Sequence, residues 1–266
     1  MEWWLAYLLM GLFVGLFAGM LGIGGGTMLV PLMVFVFTAQ HFPDDRILHL
    51  ALGTSLTSIV FTSISSLRAH HRHGAVRWDI VRAASPGLVL GTLGGTFIAD
   101  WLDSRYLAVF FVVFVYYSAA KLFGNSKPKA ARQLPGTAGI SVASGIVGII
   151  SSLVGAGGGV VSIPLMILCN VPVRHAVGTS AALGLPIALA GAVGYIYNGL
   201  GQAHLPAMSL GYVYIPALIG LVIGTFITVP IGARAAHSMP VNRLKKIFAV
   251  ILFLLATKML WSLFSV

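Results

Sequence analysis

The chain has 266 residues, of which 58% are hydrophobic and 8% charged, with a formal net charge of +10 and a mean hydropathy of +0.96. One core cannot hide that much apolar surface from water, which excludes a soluble globular domain and leaves an integral membrane protein. The basic surplus reads as a label of membrane topology rather than a nucleic-acid surface, and a single cysteine, Cys169, excludes a disulfide framework or a thiolate metal site.

The opening "MEWWLAYLLM" carries an acidic residue and two tryptophans where a secretion signal carries positive charge. No small-residue cleavage site follows, so Trp3–Leu21 is expected to be a retained membrane helix. Four more apolar runs follow in the first half: Thr27–Ala39, Ile47–Leu67, Ile80–Ala99 and Tyr106–Phe123. The second half offers Thr137–Val154, Val160–Cys169, His175–Asn198, Leu210–Ile231 and Leu244–Phe264. A hydrocarbon core of about 30 Å takes about 20 helical residues, so most of these can span it. The short runs after residues 26 and 159 cannot do so comfortably.

The halves match in order. "GGGTMLVPLM" answers "GGGVVSIPLM", "HLALGTSL" answers "RHAVGTSA", "GGTFI" answers "IGTFI", and "SAAKL" answers "LATKM". The fold class expected is therefore an all-α integral membrane protein of two repeats, each a glycine-tipped helical hairpin plus three transmembrane helices. The repeats are residues 1–123 and 137–266, joined by a polar link over 124–136. Charge shows how they are oriented. The stretch Arg68–Arg82 carries four Lys/Arg and Lys121–Arg132 another four, whereas "NGLGQAHLP" around Gly201 has none. "DWLDSR" after Ala99 is mainly acidic, while its counterpart holds Arg234, Arg243, Lys245 and Lys246. Opposite charge at equivalent loops implies inverted repeats with an odd number of segments each. If each broken pair enters and leaves on one side, 13 of the 16 Lys/Arg fall inside; Arg46, Arg105 and Lys258 lie outside with five of six acids, as do both termini.

Three consecutive glycines are costly in a helix, at about 1 kcal/mol each relative to alanine, yet they occur twice, five residues before Pro31 and Pro164. Such non-helical backbone is tolerated at membrane depth only in protein or along a hydrated cavity. A glycine turn that opens a helix aims free N–H groups and the positive end of the helix dipole at whatever lies beyond. The substrate-binding residues expected are Gly24, Gly25, Gly26, Thr27, Gly157, Gly158, Gly159 and Val160, and the cargo expected is an anion. Close packing is the competing role, and it is the one expected for the stripes Gly11/Gly15/Gly19 and Gly87/Gly91/Gly95. The repeated "GTS" adds Thr54, Ser55, Thr179 and Ser180 as neutral hydroxyl donors to an anion; bonding back to a helix carbonyl is the alternative.

Other side chains carry less. "HHRH" at His70–His73 lacks metal-ligand spacing and reads as a basic cytoplasmic stretch. His49 and His175 sit near the starts of equivalent helices without strict alignment, and Asn198 stands beside interfacial Tyr195 and Tyr197. Ser118 to Lys121 fits S-x-x-K formally, but the companion elements of that chemistry are missing, so no catalytic residues, metal or cofactor are expected. All six acids lie at segment ends or in loops, which argues against a carboxylate proton relay. Exporting one negative charge from a negative interior gains about 2.3 kcal/mol per 100 mV, so outward anion movement needs no coupling ion.

The glycine motifs, the paired "GTS" and the lysine-ended "SAAKL" and "LATKM" together resemble the sulfite exporter TauE/SafE family of membrane permeases, over nearly the whole chain. The resemblance implies export of a sulfur-containing anion, such as sulfite, thiosulfate or an organosulfonate, across a bacterial inner membrane. Ala156 and Val160 stand where the first copy has Ile23 and Thr27, so the two half-sites need not contribute equally. An anion channel, or a membrane-embedded enzyme, are the rival functions. The partners expected are the small anion and the lipid bilayer, and the oligomeric state, homodimer included, stays open.

Overall fold

A computed structural model describes residues 3–21, 25–124, 133–235 and 241–264. The apolar runs become helices α1 (Trp3–Leu21), α2 (Gly26–Ala39), α3 (Ile47–Arg72), α4 (Trp78–Trp101) and α5 (Ser104–Phe123). The second half forms α6 (Thr137–Val154), α7 (Gly159–Leu168), α8 (Val173–Gly199), α9 (Ile215–Ala235) and α10 (Val241–Phe264). Six of these are long and apolar enough to cross a membrane, while α2 and α7 are short. The chain is a multi-pass membrane protein built on helices.

Two expectations need correction. The fold is all-α but for one short strand pair, Ser209–Leu210 (β1) antiparallel with Val213–Tyr214 (β2), which moves the start of α9 from Leu210 to Ile215. The basic stretch 68–82, which lies between the apolar runs ending at Leu67 and starting at Ile80, is loop only over 73–77, because α3 continues through Arg72 and α4 begins at Trp78. Left-handed Gly74, at φ 64°, makes the turn between them. The link residues 125–132 lie outside the described residues.

Small residues decide which helices touch. A Cβ added at Gly11 would lie 2.7 Å from the Leu221 carbonyl oxygen, and one at Gly224 2.6 Å from the Leu12 nitrogen, so α1 and α9 run backbone against backbone. Gly87 and Gly91 do the same against Ser141 and Gly145, at 1.8 and 2.0 Å, and bring α4 onto α6. The stripes read as packing surfaces are packing surfaces. At the centre α3 lies along α8; these two are the most deeply buried spans. The remaining long pair, α5 and α10, pack on each other.

The two ends of the bundle are separated by the length of α3, about 39 Å for 26 residues. At one end Tyr7, near the start of α1, meets Gln40, just past α2, through a hydrogen bond. Arg46, which precedes α3, donates to the Tyr212 hydroxyl at 2.9 Å, and Tyr212 donates to Asp100 of α4 at 2.7 Å. The rings of Tyr7, Phe37, Phe42 and Tyr214 close over this end, with centroids 4.9 to 6.4 Å apart. At the other end Arg174, opening α8, donates to the His73 carbonyl at 2.6 Å. There Leu134 and Pro135 before α6, Cys169 after α7 and Ile80 in α4 line one crevice of about 120 Å³, which reaches in to Ser162 and Leu183.

Candidate functional site

Each glycine turn becomes the amino-terminal cap of a short helix. Gly25 takes a left-handed conformation, φ 67°, ahead of α2, and Gly158 does the same at φ 76° ahead of α7. An L side chain there costs about 1–2 kcal/mol, which explains glycine at both positions. The Gly25 carbonyl accepts from the Met28 and Leu29 amides, both at 3.1 Å, and the Gly158 carbonyl from Val161 at 3.1 Å and Ser162 at 2.8 Å. The helical ladders start at those bonds. The amides of Gly26, Thr27, Gly159 and Val160 precede them, at the positive ends of the two helix dipoles. Gly24 lies outside the described residues.

The second turn also ends α6 tightly. Gly155 is left-handed at φ 63°, its amide donates to the Ser152 carbonyl and the Ala156 amide to the Ser151 carbonyl at 3.1 Å. That is a Schellman closure, which uses the last carbonyls of α6 and turns the chain directly toward α7.

The two turns touch. A Cβ on Gly26 would lie 2.1 Å from the Gly155 carbonyl oxygen and 3.0 Å from the Ala156 Cα, and one on Gly155 would lie 2.8 Å from Val30 of α2. Ser55 donates its hydroxyl to that same Gly155 carbonyl at 2.9 Å from the middle of α3. From α8, Gly184 approaches the Gly157 carbonyl oxygen, which would stand 3.4 Å from a Cβ at that glycine. Gly25, Gly26, Thr27, Ser55, Gly157, Gly158 and Gly159 are all buried, and Val160 is half-buried.

The hydroxyls of the repeated "GTS" divide. The Thr54 oxygen accepts from the Tyr214 amide at 3.0 Å, one residue before α9. The Thr179 oxygen accepts from the Arg77 amide at 3.0 Å, one residue before α4. Each threonine thus anchors the chain entering a helix of the other half. Ser180 shares a hydrogen bond of 2.9 Å with Ser162 of α7. Thr27, only 1% exposed, is different: its Oγ1 has no hydrogen-bond partner among the described residues. Ser151, 2% exposed, is in the same condition, although sequence reasoning passed over it.

Sequence reasoning also passed over a third repeat. Gly74-Ala75-Val76-Arg77 and Gly211-Tyr212-Val213-Tyr214 both begin on a left-handed glycine and both dock on a "GTS" glycine. A Cβ on Gly178 would lie 2.6 Å from the Ala75 carbonyl oxygen, and one on Gly53 2.4 Å from that of Tyr212. The shared Gly-x-Val-x pattern was the available signal. Tyr212 does more than pack: burial, then its bond to Asp100, pushes the phenol well above its ordinary range, so it keeps the proton it donates. Arg77 and Asp79 pair at the opposite end, and the guanidinium holds the Asp79 carboxyl below the usual range.

The two histidines do different jobs. His49 bonds the Ala99 carbonyl through Nε2 at 2.8 Å and stacks on Tyr212 with ring centroids 5.1 Å apart. Nδ1 of His175 has no partner among the described residues. Asn198 is half-buried near the end of α8.

A sequence profile of the family described as "Sulfite exporter TauE/SafE" matches residues 7–259. A "Probable membrane transporter protein" of Haemophilus influenzae is 36% identical over 95% of this chain and 96% of its own length. The "Probable membrane transporter protein YdhB" of Bacillus subtilis is 28% identical over 85% of this chain and 88% of its own. Another "Probable membrane transporter protein", from the archaeon Methanocaldococcus jannaschii, is 25% identical over 95% of this chain and 94% of its own. No solved structure matches the chain. With a profile running almost end to end and a relative above one-third identity over nearly its full length, this chain belongs to the sulfite exporter TauE/SafE family of membrane transporters.

Proposed function

We propose that the protein exports a sulfur-containing anion, sulfite, thiosulfate or an organosulfonate, by alternating access at the junction of its two glycine turns. The observation that carries this reading is the contact of the amino-terminus of α2 with the buried Gly155–Ala156 turn that leads into α7, where the Thr27 hydroxyl lacks a partner among the described residues. Two positive dipole ends and neutral donors hold an anion without a fixed charge, which suits a site that must release as well as bind. The donor set favours an oxyanion. The membrane potential suffices to drive it outward, with no cofactor.

The architecture proposed is two inverted repeats, 1–123 and 137–266, with the link over 124–136 in the cytoplasm and both termini outside the bacterial inner membrane. Matched packing supports it: α1 lies on α9 as α6 lies on α4, and α3 and α8, like α5 and α10, pair across the centre. The contact of Tyr7 with Gln40 suits a first hairpin that returns to the side it came from. The crevice shared by Pro135 and Cys169 suits a second one that does so at the opposite end. In this reading the aromatic closure seals the outer side and the crevice is the cytoplasmic approach.

Two measurements test the reading. Purified protein is heated with sulfite, thiosulfate, sulfoacetate, taurine or sulfate, and a bound anion raises the unfolding midpoint in proportion to the logarithm of its concentration over Kd. The protein in liposomes is then given the stabilising anion under an imposed voltage. Voltage-driven efflux with trans-stimulation is expected; large unitary currents would favour a channel instead. If no anion stabilises the protein, the proposal fails.

A further inference from the structure

Setting Gly25 against Gly158 pairs Thr27 with Val160 and Ala18 with Ser151. The structure bears out that pairing in space. A Cβ on Gly25 would lie 3.0 Å from the Ala18 Cβ, and one on Gly158 would lie 3.4 Å from the Ser151 Oγ. Residues 18 and 151 therefore occupy the same place, against the left-handed glycine that opens the short helix. The first turn has threonine on the short helix and alanine on the long one; the second has valine on the short helix and serine on the long one. Each turn keeps one hydroxyl, in exchanged positions.

Both hydroxyls are buried, Thr27 at 1% and Ser151 at 2% exposure, and neither has a partner among the described residues. A buried serine in a helix ordinarily bonds back to a carbonyl three or four residues earlier, as Ser152 does to Ile149 at 2.8 Å in the next position. Ser151 makes no such bond. Its carbonyl closes the end of α6, but its hydroxyl is spent on nothing. An uncompensated buried hydroxyl is costly to keep, so one retained at each turn points to a ligand that uses it.

We propose that Ser151 is the hydroxyl donor of the second turn to the transported oxyanion, doing from α6 what Thr27 does from α2. This assignment rests on the anion reading of the two turns and makes their half-sites chemically equal despite Val160. The ligand class follows: an oxyanion with at least two oxygens, one facing each turn, each taking one hydroxyl besides backbone amides.

The test uses the full-length protein in detergent, with sulfite, thiosulfate and sulfoacetate as probes and thermal unfolding as the readout. Ser151→Ala is expected to weaken binding of the stabilising anion about tenfold to a hundredfold, the usual effect of losing a hydrogen bond to a charged group. Its ligand-free midpoint should stay level or rise, because an unpaired buried hydroxyl is gone. The double variant Ser151→Ala/Val160→Thr, which rebuilds the arrangement of the first turn, should recover most of the affinity. Ser151→Cys keeps the volume with a weak donor and reads out the same loss if the alanine variant does not fold. Full affinity in Ser151→Ala or Ser151→Cys, a lowered ligand-free midpoint with unchanged affinity, or a double variant as weak as the single one would each overturn the assignment alone. Failure of all three anions to stabilise the unmodified protein would overturn the anion reading and this assignment with it.

Discussion

Replacing Gly26 by alanine perturbs the contact on which the proposed site depends. The new methyl would stand 2.1 Å from the Gly155 carbonyl oxygen, where ordinary contact begins near 3.4 Å, so the two turns must part by more than an ångström. Its other neighbours are the Ala156 Cα at 3.0 Å and the Ile59 Cδ1 at 2.9 Å; only the isoleucine can swing away. Overpacking of backbone on backbone costs about 1–3 kcal/mol. Gly94 supplies the control. It lies exposed in α4 with nothing within 4 Å of an added Cβ, so Gly94→Ala should stabilise by about 0.5–1 kcal/mol through helix propensity alone. Thermal unfolding with and without the stabilising anion, followed by flux in liposomes, separates the cases. Gly26→Ala should lose stability and most anion response together, while Gly94→Ala keeps both. An anion response and flux in Gly26→Ala equal to those of the unmodified protein would refute the argument that the turns must touch to form the site.

Tyr212→Phe removes both the Arg46 and the Asp100 bond and should lower stability by about 1.5–3 kcal/mol, against about 1 kcal/mol for Tyr195→Phe, whose hydroxyl meets only the Ser152 carbonyl; comparing the two unfolding midpoints checks the ranking. Thr54→Val and Thr179→Val each strip the acceptor from one interhelical amide, at about 1 kcal/mol apiece, and the double variant should cost the sum because the sites are independent. Cys169, the single cysteine, lines the crevice at the Arg174 end, so a membrane-impermeant maleimide should label it in inside-out vesicles and not in intact cells. Labelling from the periplasmic side alone would reverse the proposed orientation.

The sequence by itself determined that the chain lives in a membrane, where its helices run, and that it breaks twice at equivalent glycines. Those properties are local: apolar length, a left-handed turn that only glycine takes cheaply, and stripes of small residues are written within a dozen neighbouring positions. Even so, the strand pair at 209–214 escaped, because two-residue strands leave no period to read. Tertiary structure alone decided what each polar side chain meets. Thr54 and Thr179 looked like ligand groups but face amides 160 and 102 residues away. Ser151 drew no reading from the sequence, yet its hydroxyl, without a partner among the described residues, stands against the glycine seven residues downstream. A hydroxyl's role depends on which backbone atom arrives within about 3 Å of it, and that is fixed only when distant helices close on one another.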